Sequence, residues 1–150
     1  MGAATGPSIT KRTRTVLVAL PDPVRKRLER LRSELNRAAV SSGVGARVVL
    51  YVKTLPGEDA EPHFNRLRAK VAGRGWRIHS TIHDNSGQVA PTESEAWDEL
   101  MKALAGGFAQ GVLTPTYQHI SMDTGYYTDA LYRISECRCF TSLLVPEPAT

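Results

Sequence analysis

Short apolar runs alternate with segments of helical periodicity from Arg47 to the end of the chain. The first run, at 48–52, is apolar without a break, which is typical of a strand buried on both faces of a sheet. The later segments place apolar residues three or four positions apart, which gives each predicted helix one apolar face. Strands are predicted at 48–52, 76–83, 110–114 and 139–145, and helices at 61–71, 93–104 and 123–136. The alternation predicts an α/β fold, a mainly parallel four- to five-stranded sheet with helices on both faces.

Two local patterns refine these elements. Residues in the strand at 76–83 alternate, so Trp76, Ile78 and Ile82 are predicted to share one face of the sheet. Thr92 precedes the helix at 93–104, with Glu95 three residues later, which is the capping-box pattern of a helix start.

An amphipathic helix is predicted before this alternating region. Asp22 is a good N-cap, Pro23 fits the first helical position, and the periodicity continues to about Val40. One stripe of the helix is apolar and is formed by Val24, Leu28, Leu31 and Leu35. Because coiled-coil seams use the same spacing, the stripe is a candidate dimerisation surface, and packing on the body of the protein is the alternative.

The chain of 150 residues has the length of one domain, and three regions are predicted along it. Residues 1–14 are small, polar and basic and are predicted to form a disordered tail. Residues 15–45 form an extension that carries the amphipathic helix, and residues 46–150 form the α/β domain. Within the extension, the apolar run at 16–20 is either a strand that joins the sheet or a packed linker.

Positive charge is concentrated in the N-terminal third of the chain. Residues 1–47 hold ten Lys or Arg and three Asp or Glu, a balance of +7, whereas residues 48–150 hold nine and twelve, a balance of −3. This asymmetry predicts contact with DNA or another acidic partner, and a solvated basic helix and tail is the alternative. The candidate nucleic-acid-binding residues are Lys11, Arg12, Arg14, Arg25, Lys26, Arg27 and Arg30.

Several classes of protein are disfavoured by what the sequence lacks. No apolar run approaches the roughly 18–20 residues of a membrane helix, and the polar start has no leader pattern, so a cytoplasmic protein without a membrane partner is predicted. Cys137 and Cys139 lie too close in sequence for a disulfide scaffold and are predicted to be reduced. His79 and His83 are four apart on a strand, about 13 Å from each other, so no metal site is predicted. Neither a P-loop nor a G-x-G-x-x-G motif in the right context is present, and no cofactor is predicted.

Four landmarks follow one another between residues 47 and 147. The first strand ends in Tyr51-Val52-Lys53, and Arg74-Gly75-Trp76 occupies the junction of the next helix and strand. Asp84-Asn85-Ser86-Gly87 follows that strand, and the last strand region is 139–147. Their order and spacing resemble the catalytic domain of the serine recombinases, the resolvase and invertase family. The resemblance covers about two-thirds of the chain and implies that family's α/β fold.

The chemistry of the resembled family depends on a serine hydroxyl that attacks a DNA phosphate just after the first strand. Arginines stabilise the charge that grows on the phosphate oxygens. In this chain Lys53 stands at the motif's arginine and Leu55 at the serine. Thr54 carries a hydroxyl one position early, and a one-residue offset turns a strand side chain to the opposite face. Lys53 and Thr54 are the remaining catalytic candidates.

The other arginines of the resembled family are also unmatched. Its Asp-Arg-x-x-Arg type run after the third strand falls on 118–122, where Gln118, His119 and Met122 replace the acidic residue and the two arginines. No arginine occurs at 88–96, where the family has another. Because a planar guanidinium fork is hard to replace as a phosphate ligand, the resemblance implies a degenerate member that does not cleave DNA.

Binding rather than catalysis is the function that these observations favour. We expect a catalytically inactive protein with a regulatory or accessory role, associated with DNA through its basic segment and forming dimers or larger assemblies. Two alternatives stay open: an active DNA-cleaving recombinase that uses Thr54, and a module that binds only a protein partner. A small anion near Lys53 and His119 is a further candidate ligand, because polar loops meet at the ends of parallel strands.

Overall fold

The computed structural model describes residues 20–39, 45–87 and 93–147. In chain order the elements are helix α1 (Asp22–Ala39), strand β1 (Arg47–Lys53), helix α2 (Glu61–Arg74), strand β2 (Arg77–Asp84), helix α3 (Glu95–Ala105), strand β3 (Gly111–Thr114), a 3-10 helix (Tyr117–His119), helix α4 (Thr124–Glu136) and strand β4 (Phe140–Leu143). The predicted tail, most of the 16–20 run and the candidates Lys11, Arg12 and Arg14 lie outside these residues.

The four strands form one parallel sheet in the order β2-β1-β3-β4. β1 is central, and its five apolar residues at 48–52 are fully buried, as expected of a strand covered on both faces. Helix α2 packs on the face that contains Leu50, and α1, α3 and α4 contribute to the cluster on the face that contains Tyr51. The predicted α/β fold, with a parallel sheet and helices on both faces, is confirmed.

A β-bulge interrupts the edge strand β2. Val48 pairs with Ile78 and Val49 pairs with Ser80, so His79 is an extra residue without a counterpart in β1. The bulge reverses the alternation, and Ile78 is 40% exposed whereas Ile82 is buried against the opposite face of the sheet. The prediction that Trp76, Ile78 and Ile82 share one face is therefore wrong.

The start of α3 also differs from the sequence prediction. The helix begins at Glu95, and the Ser94 hydroxyl caps it by accepting a hydrogen bond from the Trp97 amide at 3.1 Å. The predicted Thr92–Glu95 capping box is wrong, because Ser94 holds the cap position; Thr92 itself lies outside the described residues. A hydroxyl nearer to the helix satisfies the same free amides.

Helix α1 lies against the domain through its apolar stripe. Leu28 is completely buried in the core, and Val24, Leu31 and Leu35 pack against the same cluster as the buried residues of α3 and α4. The stripe thus packs on the body of the protein. Dimerisation through these four side chains stays a prediction, and so does the boundary between an extension at 15–45 and a domain at 46–150.

A buried ion pair fixes α1 to the end of the sheet. The Arg32 guanidinium donates from Nε and Nη2 to the two Glu147 carboxylate oxygens, at 2.8 and 3.1 Å. The Tyr127 hydroxyl donates to the same carboxylate at 2.6 Å, and the Glu147 side chain has no exposed surface. Burial raises the pKa of Glu147, but the hydrogen bonds from Arg32 and Tyr127 outweigh it and hold the pKa below the ordinary value.

The outer edge of β4 is closed by side chains from two helices. The Asn36 amide of α1 donates to the Thr141 carbonyl at 2.7 Å and accepts from the Thr141 amide at 2.9 Å, as a neighbouring strand would. From α2, the Lys70 ammonium donates to the Leu143 carbonyl at 3.0 Å. These bonds occupy backbone groups that an open edge strand would offer to another chain.

Two further findings concern the described residues. None of their helices combines the length and the apolar character that a membrane crossing requires. Cys137 and Cys139 are not joined to each other, and Cys139 is buried whereas Cys137 is half-buried.

Replacing Arg32 with methionine is expected to lower the free energy of unfolding by about 3 kcal/mol, because the buried Glu147 carboxylate loses its cation. The matched control is Arg68→Met, which breaks the exposed pair between Arg68 and Glu61 and is expected to cost less than about 1 kcal/mol. Urea unfolding followed by circular dichroism measures both changes. Equal losses in the two variants would contradict the importance assigned to the Arg32–Glu147 pair.

The buried Glu147 carboxylate also predicts that the protein loses stability in acid. Because the folded protein holds the pKa of Glu147 below its ordinary value of 4.5, its contribution to stability is present above about pH 4.5 and is lost as the pH falls through the lower folded pKa. Below that pH we expect the unfolding free energy of the wild type to fall more steeply than that of Glu147→Gln, which has no proton to gain. Urea unfolding at a series of pH values gives the two slopes, and parallel curves are the contrary result.

Candidate functional site at the carboxyl edge of the sheet

The carboxyl ends of the parallel strands bring several polar residues to one edge of the sheet. β1 ends at Lys53, β2 ends at Asp84, and β3 ends at Thr114, just before the 3-10 helix that contains His119. In open α/β sheets this edge is where ligands bind. The catalytic candidates Lys53 and Thr54 lie here, together with His119, as the sequence predicts.

Thr54 turns its hydroxyl into the protein. Its side chain is 5% exposed, and its oxygen lies 2.8 Å from Nε2 of His83, a hydrogen bond whose donor depends on the histidine tautomer. The Thr54 amide donates to the Asp84 carbonyl at 2.8 Å, so the chain stays beside β2 for one residue after β1 ends. Leu55, the next residue, has an alkyl side chain and offers no nucleophile; its match to the serine of the resembled family stays a prediction.

Lys53 is held by the segment that follows β3. Its amide donates to Nδ1 of His119 at 3.0 Å, and its ammonium donates to the Ile120 carbonyl at 3.3 Å. Burial lowers the pKa of Lys53, and the negative charge of Asp84 opposes this effect. The cation at the motif's arginine position is therefore partly buried and engaged with the protein's own backbone.

His119 is a neutral side chain at this edge. Burial, as the largest cause, together with the positive charges of His63, Lys53 and Arg66 lowers its pKa to about 3. Its Nδ1 accepts the Lys53 amide proton, which requires that this nitrogen carry no proton. At neutral pH this imidazole is therefore uncharged and supplies no positive charge to an anion.

Two residues that the sequence analysis missed join this cluster from the start of α2. The rings of His63 and His119 meet edge to face, with centroids 5.0 Å apart, and Arg66 Nη2 lies 2.8 Å from Nδ1 of His63. Burial is the main cause that lowers the pKa of His63. The order of the elements could have predicted that the start of α2 lies near this edge, because a helix that follows β1 begins near the edge where β1 ends.

Asp84 holds the loop after β2 in place. Its buried carboxylate accepts hydrogen bonds from the Tyr51 hydroxyl at 2.6 Å, the Ser94 hydroxyl at 2.7 Å, and both the amide and the hydroxyl of Ser86. Burial raises the pKa of Asp84, and these hydrogen bonds more than reverse the effect. All the contacts are internal, so the Asp84–Ser86 segment anchors the cap of α3 rather than presenting a free reactive group.

The other residues of the expected arginine clusters do not form a cationic site. Met122 is 50% exposed, and the Gln118 amide nitrogen is buried without a hydrogen-bond partner. Across residues 20–39, 45–87 and 93–147, no three histidine, cysteine or acidic side chains lie where they would enclose a metal ion. Chemically, the edge offers one hydroxyl–imidazole pair, Thr54 and His83, beside a partly buried lysine.

The basic side chains of α1 occupy a separate surface. Lys26, Arg27 and Arg30 are exposed to solvent. Arg25 is more enclosed, with 19% of its side chain exposed, and forms long ion pairs with Asp22 at 3.9 Å and Glu29 at 3.7 Å. Of the candidate nucleic-acid-binding residues that the structure describes, Lys26, Arg27 and Arg30 therefore form an accessible cationic face.

The same fold is found in two solved catalytic domains. The chain aligns with the N-terminal catalytic domain of TP901-1 integrase at a TM-score of 0.59 and 19% sequence identity, over 65% of this chain and 76% of that one. It aligns with the C-terminal catalytic domain of ISC1926 TnpA, an IS607-like serine recombinase, at a TM-score of 0.58 and 18% identity, over 67% and 71% of the two chains. No family model and no curated protein matches the sequence. The fold is therefore that of a serine recombinase catalytic domain, as the sequence resemblance implied.

Proposed function

We propose that this protein is a catalytically inactive relative of the serine recombinases that binds DNA in the cytoplasm in a regulatory or accessory role. The observation that carries the proposal is the state of the carboxyl edge. Leu55 stands at the nucleophile position, and a buried, neutral His119 stands where the resembled family has an arginine. A developing phosphate charge would meet few of the fixed cations that phosphoryl chemistry needs.

DNA is the partner that the surface charge supports best. Helix α1 carries six Lys or Arg and three Asp or Glu, and Lys26, Arg27 and Arg30 are exposed on it. The basic residues Lys11, Arg12 and Arg14 precede this helix in the sequence. Cations of this kind contact phosphates without reading bases, so the association is largely independent of DNA sequence and sensitive to salt.

The proposal includes assembly into dimers or larger oligomers, and the position of α1 restricts how such assembly can form. The apolar stripe of α1, including the fully buried Leu28, is occupied by the core of its own domain. A dimer through that stripe requires α1 to leave its own domain or to exchange with the α1 of a second copy.

One observation favours the catalytic alternative. Thr54 and His83 form a hydroxyl–imidazole hydrogen bond at 2.8 Å, the arrangement in which a base activates a nucleophile. Against this alternative, the Thr54 side chain is 5% exposed, so a phosphate reaches it only if the loops after β1 and β2 move.

The DNA proposal predicts that the cations of α1 control binding. We expect the full chain to shift a random duplex in a gel at low salt, and we expect the triple variant Lys26→Gln, Arg27→Gln, Arg30→Gln to bind more weakly. Its plot of log affinity against log salt should be shallower by about three, or about one per lost phosphate contact. A triple variant at Arg68, Arg133 and Arg138 makes the same charge change elsewhere and should bind as the wild type does. Failure of the wild type to bind at low salt would favour a module that binds only proteins.

The absence of cleavage is tested on supercoiled plasmid DNA. We expect no nicking, no linear product and no covalent protein–DNA adduct from the wild type under conditions where duplex DNA is bound. Wild-type cleavage that is lost in Thr54→Ala and retained in Thr54→Ser would overturn the proposal and establish Thr54 as a nucleophile.

A further inference from the structure

A cavity of about 540 Å³ opens beside the edge strand β4, where α1 and α2 approach from opposite faces of the sheet. This volume lies within the range of small-ligand sites, about 300–1,000 Å³. Among the described residues, the side chains around it include no Asp or Glu and four cations, Arg32, Arg37, Lys70 and Arg74. The cavity shares none of the carboxyl-edge residues described above.

The positive charge around this cavity is only partly compensated. Glu147 is fully buried and is bound by Arg32 and Tyr127, so it neutralises Arg32 and does not line the cavity. Arg37 and Arg74 are exposed, and the Lys70 ammonium uses the Leu143 carbonyl for one of its three donor positions. Several charged donors near one cavity therefore remain available to an anion.

The pKa of Lys70 is affected by the positive charges that surround it. Burial lowers its pKa, and the charges of Arg74 and then Arg32 lower it further. An anion placed among these groups would offset their mutual repulsion and would favour the charged form of Lys70.

An aromatic surface borders the same cavity. Trp76 is half-buried, and its ring contacts the ring of Phe140 with centroids 5.2 Å apart. The Arg74 guanidinium lies over the indole, 5.1 Å from its centroid. Cations arranged around a partly exposed tryptophan match a ligand that carries a phosphate next to a planar ring, as in sites that stack bases beside a positively charged groove.

We propose that this cavity binds a nucleotide unit, with its phosphate on Arg37, Lys70 and Arg74 and its base against Trp76. The unit comes either from a free nucleotide or from one residue of a single-stranded nucleic acid. The proposal does not rest on duplex binding by Lys26, Arg27 and Arg30 of α1. Lys70 and Arg74 belong to α2, Trp76 lies just before β2, and Arg37 is not one of those three residues. The alternative to a ligand site is a structural role, in which Arg37 and Arg74, in the last turns of their helices, complement the helix dipoles.

The test is calorimetric titration of the full chain with deoxyadenosine monophosphate, with a short single-stranded oligodeoxyadenylate and with inorganic phosphate. We expect saturable binding of at least one nucleotide probe, tighter than that of inorganic phosphate. The double variant Lys70→Met, Arg74→Met should weaken it by about tenfold or more. The matched control, Arg68→Met, Arg133→Met, removes the same charge at exposed positions outside the cavity and should leave binding within about twofold.

The Trp76→Leu variant tests the contribution of the base to affinity separately from that of the phosphate. This variant should lower nucleotide affinity towards that of inorganic phosphate, while phosphate affinity itself stays unchanged. Binding of the monophosphate identifies a free nucleotide as a sufficient ligand, whereas binding of the oligonucleotide alone identifies a strand. Phosphate binding as tight as that of both nucleotide probes, or no saturable binding by any probe, would overturn the proposal. The triple variant at Lys26, Arg27 and Arg30 should keep nucleotide binding. A failure of the nucleotide proposal is therefore distinguishable from a failure of the duplex-binding proposal.

Discussion

One buried carboxylate, that of Glu147, sets how the N-terminal helix meets the rest of the molecule. Glu147 lies four residues after the last strand ends at Leu143, and its carboxylate accepts hydrogen bonds from Arg32 of α1 and Tyr127 of α4. A buried ion pair adds little stability over an apolar contact, but each partner is costly to leave alone. The pair therefore acts chiefly as a positional constraint, because α1 has one rotation about its axis that brings Arg32 to the carboxylate and Leu28 into the core.

The carboxyl edge of the sheet is held together by hydrogen bonds among its own polar groups. Lys53 and His119 bind each other through a backbone amide and a ring nitrogen, and Thr54 binds His83, so the polar groups of this edge are largely satisfied within the protein. Internal hydrogen bonds of this kind hold the side chains of this edge in place without a ligand.

The sequence was sufficient for features that depend on neighbours along the chain. The unbroken run of β1, the helical stripes and the order of the elements all follow from local patterns, and the observed fold agrees with them. The bulge at His79 was not predictable, because it appears only when β2 pairs with β1. The Arg32–Glu147 pair joins residues 115 positions apart, and the contact between His63 and His119 joins two separate elements. Contacts of this range are set by topology rather than by periodicity.

The docking of α1 also divides the positive charge that the sequence places near the N-terminus. Lys26, Arg27 and Arg30 face solvent, whereas Arg32 and Arg37 lie along the cavity beside β4. The cavity is therefore a joint product of α1 and α2, and it loses one wall if α1 leaves the domain. Because the same helix also carries the candidate dimerisation stripe, exchange of α1 between copies would rebuild that wall from a second chain. Any assembly through α1 would therefore also change the cationic cavity, because one helix, held by Arg32, Leu28 and Asn36, contributes to both.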